Sequence, residues 1–161
     1  MKKVIIGLFL FMSAFSLWAN PLTGDIDIIK AYARETVTGQ EVGAIYLVLK
    51  NNSSKEIKFT GLSTPAASQA EIHVMMMNNN VSSMKHQAFM IISPNKELQM
   101  LPGKSHIMLL GLKQPLVKGH TLPVTLHFAS HHDIKLNIPV LSIGEGMENM
   151  KDMKDMKDMN M

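Results

Sequence analysis

Apolar and polar residues alternate with period two along most of this chain. Leu122, Val124, Leu126 and Phe128 fall on one side of an extended backbone, and Thr121, Pro123, Thr125 and His127 fall on the other. Ile134, Leu136, Ile138 and Val140 repeat the pattern after Ala129-Ser130-His131-His132-Asp133, which predicts a β-hairpin with one buried face. The stretch Val42 to Leu49 is apolar on both faces, as expected of a strand inside a sheet, and Asn51-Asn52-Ser53-Ser54 ends it. Shorter strands are predicted over Asp27 to Ala33, Glu56 to Thr60, Gln69 to Met77, Lys85 to Ile92 and Ser105 to Leu110. Many short strands with turn residues between them, and no stretch of helical period, predict an all-β antiparallel sandwich.

The two ends follow other rules. Lys2 and Lys3 precede an apolar run from Val4 to Trp18 and the small residue Ala19, the layout of a secretory signal peptide covering residues 1–19. The run is shorter than the roughly 20 residues a membrane-spanning helix needs, and no cysteine stands at the junction to take a lipid. A soluble, exported, periplasmic protein is therefore expected. The folded domain is expected over residues 20–142. Beyond it, residues 143–161 contain "MENMKDMKDMKDMNM", in which Met147, Met150, Met153, Met156 and Met159 recur every third residue. A strict three-residue spacing drifts around a helix and makes no stable stripe, so this tail is expected to be mobile and outside the fold.

Composition narrows the function classes. The absence of cysteine in an exported chain means that the core must hold without disulfides, and the residues left after the leader are enough for one domain. Loss of Lys2 and Lys3 takes the formal charge from +3 to +1, so nothing points to nucleic acid.

The 15 methionines change the picture most. In "EIHVMMMNNNVSSM", residues 71–84, an extended backbone puts His73, Met75 and Met77 on one face and Ile72, Val74 and Met76 on the other, with the second group expected in the core. In "KSHIMLLGL", His106 and Met108 share a face opposite Ile107 and Leu109. Imidazole with thioether is a soft, neutral ligand set that suits Cu(I) and is poor for Mg²⁺ or Ca²⁺. Either cluster alone is more simply read as core filler and surface histidine. His86, His120, His127, His131 and His132 are read most simply as exposed. His127 with His131 and His132 is a candidate secondary site for Cu(II) or Zn²⁺ across the hairpin.

His73, ten residues, Met84, twenty-one residues, His106, one residue, Met108 spells H-x10-M-x21-H-x-M. That signature resembles the periplasmic copper-chaperone family called PCu(A)C. "AYARETVTGQEVGAIYLVLKN" is similar to the family's early strands, with Tyr32 where tryptophan is usual, and "SHIMLLGLKQPLVKGHTLPVTLHF" is similar to its most recognisable block. Asn80-Val81-Ser82-Ser83 replaces a glycine-containing turn. The resemblance implies a cupredoxin-like Greek-key β-sandwich and a shallow Cu(I) site made of His73, Met84, His106 and Met108. It also implies delivery of copper to the copper-accepting subunit of a respiratory oxidase, or to another chaperone. Met75 and Met77 are then either supplementary ligands or neighbours of the site.

Three rivals are weighed against this. An electron-transfer cupredoxin needs a cysteine thiolate, which is absent. A metalloenzyme on the hairpin histidines needs an acid or base beside an open coordination position, and no carboxylate is evident in that role, so a non-enzymatic protein is expected. A metal-free adhesion or assembly module of the cell envelope is the remaining alternative.

Overall fold

The computed structural model describes residues 24–78, 81–142 and 144–146. Ten strands account for nearly all of its regular structure: β1 (Ile26–Arg34), β2 (Val42–Asn51), β3 (Ile57–Ser63), β4 (Ala67–Asn78), β5 (Val81–Gln87), β6 (Met90–Ile92), β7 (Glu97–Met100), β8 (Ser105–Leu112), β9 (Thr121–Phe128) and β10 (Ile134–Leu141). Hydrogen bonds run continuously through the order β5-β4-β8-β2-β1-β10-β9-β3-β6, with β7 added on β2. One half, β5 to β1, folds over the other, β10 to β6, so that their inner faces share a single core. Ile45, Leu47 and Leu49 of β2 and Ile107 and Leu109 of β8 meet Ile57 and Phe59 of β3 and Leu122, Val124 and Leu126 of β9 there. Phe59 and Phe128 pack at 5.5 Å between ring centres. Each such side chain contributes about 1.5–3 kcal/mol when fully buried, which lets a disulfide-free domain hold together.

The β-sandwich read from the residues, cupredoxin-like as the family resemblance implied, is the fold observed. The pairing departs from purely antiparallel at one place, where β1 and β10 run parallel through Ala33↔Val140 and Arg34↔Leu141. That pair joins the two halves of the sandwich. The stretch Lys85 to Ile92, expected as one strand, is two: β5 pairs with β4 and β6 pairs with β3, so the chain crosses between the halves at Ala88 and Phe89. Strand β7 escapes periodicity because its four residues supply only Leu98 and Met100 to the core. Met76 is not in the core as its parity suggested; it is 50% exposed, because β4 runs on past the covering layer.

Asn51 shows how the polar end of β2 is satisfied. Its side-chain amide donates to the carbonyls of Lys55 at 2.7 Å and Ile92 at 2.9 Å while its oxygen accepts from Ser53. The predicted leader, residues 1–19, lies outside the described residues, as does the methionine repeat from Met147 onward. Residues 144–146 form one helical turn. Glu145 accepts from the Ser142 hydroxyl at 2.7 Å and pairs with Lys118 at 2.8 Å, and the carbonyl of Gly146 accepts from the Tyr32 hydroxyl at 3.3 Å.

Candidate metal centre

Strand parity decides which side chains face away from the core on the β5-β4-β8-β2-β1 half. Ile72 and Ile107 are buried in the core, so their neighbours His73 and His106 project from the opposite face. Register then brings distant parts of the chain side by side. His73 stands directly opposite His106 on β8 and directly opposite His86 on β5. One step along the strands on one side, Glu71 is paired with Met108; one step on the other side, Met75 is paired with Met84. The rings of His73 and His106 are centred 5.9 Å apart and those of His73 and His86 6.4 Å apart. The row continues through Tyr46, 6.1 Å from His106, to Tyr32, 5.3 Å from Tyr46.

All four residues of the spaced signature therefore occupy one patch. Met84, His106 and Met108 line the same shallow cleft of about 290 Å³, together with Tyr46, Arg34 and Gln40, and His73 adjoins it through His106. Met84 is 55% exposed, so solvent reaches its side chain at the cleft.

The surroundings of the two histidines set which ring nitrogens carry a free lone pair. His73 Nε2 lies 3.0 Å from Glu71 Oε2. Since a carboxylate only accepts, Nε2 carries the proton, and in the neutral ring the lone pair is left on Nδ1. That Nδ1 is buried and has no hydrogen-bond partner. A carboxylate that fixes the tautomer and orientation of a ligating histidine is the usual support behind a metal site. Burial, and then the neighbouring charge of His73, lower the pKa of His106 from 6.5, keeping its imidazole neutral and able to donate. Among the described residues no group of three or more histidine, aspartate or glutamate side chains could hold a metal ion, so a metal on this face would have to take thioether sulfur as well. Such a donor set would favour a soft ion over hard cations.

Sequence reasoning placed His86 among merely exposed residues and left Glu71 without a role. The i, i+2 spacing of Met84 and His86 was the available signal for the first, and the same spacing of Glu71 and His73 for the second. The hairpin histidines do not gather. His127 Nδ1 donates to Asp133 Oδ2 at 2.9 Å while its Nε2 accepts from the Ser63 hydroxyl at 2.8 Å, and His131 pairs with Asp25 at 3.4 Å. Carboxylates are thus present beside the hairpin, each taken by a different imidazole.

A family model described as putative lipoprotein LpqE-like matches residues 26–140. A putative lipoprotein of Leifsonia xyli subsp. xyli is 30% identical over 125 residues, which is 77% of this chain and 74% of that protein. An uncharacterized protein of Rickettsia prowazekii is 26% identical over 124 residues, covering 74% and 68%. Among solved structures, the copper-bound PCuAC domain from PmoF2 matches with a TM-score of 0.64 at 18% identity over 74% of this chain and 94% of that domain. The Cu(I) form of DR1885 from Deinococcus radiodurans matches with a TM-score of 0.55 at 25% identity over 74% and 81%.

Proposed function

The chain belongs to the LpqE-like family, and from that premise we propose that it is an extracytoplasmic copper chaperone, which binds one Cu(I) through His73, Met84, His106 and Met108 and hands it to a copper-accepting protein. The observation that carries this reading is the convergence of the four residues on one outer face, with three of them lining a single cleft and the fourth bearing an unpartnered buried nitrogen. Similarity to the copper-bound PCuAC domain from PmoF2 and to the Cu(I) form of DR1885 supports it. Copper is the cargo, and its release is as much a part of the function as its capture.

The geometry suits transfer. Both thioethers and both imidazoles are neutral donors, so no strong anionic bond has to be broken. Met84 stands on the edge strand β5, exposed. A donor from a partner can bind the ion as the Met84 sulfur leaves, so copper moves through shared coordination and never becomes free. Glu71 keeps His73 in position throughout. A respiratory oxidase subunit, or a second chaperone, is the proposed acceptor, with the periplasm as compartment and residues 1–19 as the export signal. The methionine repeat of residues 147–161 is proposed to collect Cu(I) weakly and raise its local concentration near the site.

Titration of the mature protein with Cu(I) against a competing chelator tests the reading. One-to-one uptake is expected, weakened by at least about tenfold (~1.4 kcal/mol) in His106→Ala and in Met108→Ala. Absence of uptake leaves a metal-free envelope module. A chain ending at residue 146 is expected to keep the one-to-one site and to load more slowly from dilute Cu(I); an unchanged loading rate removes the tail from the mechanism.

A further inference from the structure

One proposed copper donor is open to a second chemistry. Met84 lies on β5, the edge strand of the sheet, and is 55% exposed, whereas Met108 lies on β8 between β4 and β2 and is half-buried. Both line the same cleft, so solvent reaches one of these side chains more readily than the other. Met76 and Met77 of the same hairpin, outside the four-residue set, are 50% and 76% exposed, and Met100 is fully buried in the core. The described methionines thus form a graded series, in which Met84 alone combines wide exposure with a place in the cleft.

A thioether is oxidised through a sulfur lone pair, and its susceptibility follows solvent access. Copper binding draws on the same electrons. We propose that Met84 is an oxidative modification site whose reactivity is set by copper occupancy: in the empty cleft a peroxide converts it to methionine sulfoxide, and in the loaded cleft the bound ion shields it. The Met84 sulfur attacks one peroxide oxygen, an S–O bond forms as the O–O bond breaks, and the other oxygen leaves as water. The sulfur is oxidised by two electrons and the peroxide is reduced by two. The product offers a polar oxygen where a soft sulfur stood, so the cleft loses one of its two thioethers and with it part of its preference for Cu(I). A peroxide in the compartment therefore stops empty protein from loading, while protein already carrying Cu(I) keeps its cargo. The change is reversible, because methionine sulfoxide reductases restore the thioether.

This inference rests on the copper reading above, and the test separates the two. The mature full-length chain, empty or loaded with one equivalent of Ag(I) as a redox-silent stand-in for Cu(I), is treated with hydrogen peroxide, and sulfoxide at each methionine is followed by peptide mapping with mass spectrometry. In the empty protein Met84 is expected to oxidise at least about fivefold faster than Met108. Ag(I) is expected to slow Met84 at least about tenfold and to leave Met76 and Met77 within about twofold. When treatment is stopped while Met108 is still reduced, Cu(I) affinity is expected to fall at least about tenfold in wild type and in Met76→Leu/Met77→Leu. It is expected to return on treatment with a methionine sulfoxide reductase, and in Met84→Leu peroxide is expected to lower it no further. Oxidation of Met84 no faster than Met108, equal oxidation of Met84 with and without Ag(I), or unchanged Cu(I) affinity in protein oxidised at Met84 overturns the proposal. Failure of untreated wild type to bind Cu(I) one-to-one overturns the chaperone reading instead. Met100, fully buried, reports on the fold throughout by staying reduced.

Discussion

His73 and His106 stand opposite one another on neighbouring strands with ring centres 5.9 Å apart, although 32 residues separate them in the chain. Their backbones are held by the β4–β8 ladder and their core-facing neighbours Ile72 and Ile107 are buried. The pair is thus preorganised by the sandwich, and binding an ion there requires little ordering of the backbone.

Glu71 acts on copper only through His73. Glu71→Gln keeps a hydrogen-bond acceptor of the same size but removes the charge that fixes the protonated Nε2. Cu(I) affinity is expected to fall about 10-fold or more, in the range seen when such supporting carboxylates are lost. Chelator competition reads this, and the unfolding midpoint should move little because Glu71 is partly solvated.

The helical turn after β10 should respond to acid. The hydrogen bond from Lys118, and then those from Ser142, lower the pKa of Glu145 from 4.5 to about 2. Since the folded value lies below the unfolded one, its stabilisation is fully present above pH 4.5 and is lost as pH falls toward 2. Melting temperature measured across that window should decline in wild type and decline less in Glu145→Gln. The group is solvent-exposed, so the difference is expected to be small.

Tyr32→Phe tests the other anchor of that turn. Burial, with the adjacent Tyr46, raises the Tyr32 pKa to about 12, so its hydroxyl stays protonated and donates to Gly146. Loss of that buried bond is expected to cost about 1 kcal/mol in urea unfolding. Cu(I) affinity should be unchanged, because Tyr32 is separated from His106 by Tyr46.

Ser63, His127 and Asp133 form a hydroxyl–imidazole–carboxylate chain, the order used by serine hydrolases. Here it ties β3 to β9 and to the end of the hairpin loop. His127 and Asp133 are 36% and 49% exposed, so water competes for every bond in it. The expected outcome is a structural clamp: Asp133→Asn should shift stability by less than about 1 kcal/mol, and wild type should hydrolyse an activated acetate ester no faster than Ser63→Ala.

Period two made the outer and inner faces of β8, β9 and β10 legible from residues alone, because alternate side chains of a half-buried strand must differ in polarity. It also placed His106 and Met108 together. The resemblance of the four-point spacing to the PCu(A)C signature implied that His73 and Met84 belong with them. What periodicity left out were the residues whose role is set by a neighbour from elsewhere in the chain. The split of Lys85 to Ile92, the parallel joint between β1 and β10, and the short strand β7 all depend on which strand lies beside which.

Sequence alone thus determined which side chains share a strand face, since that follows from backbone geometry within a few residues. Only the tertiary structure decided that β4 runs between β5 and β8, and with that placement it set His86 and His106 on either side of His73 and paired Glu71 with Met108. The reason is physical: strand partners are chosen by packing of the whole core and by ladder hydrogen bonds to distant segments, and no local pattern of apolar and polar residues encodes that choice.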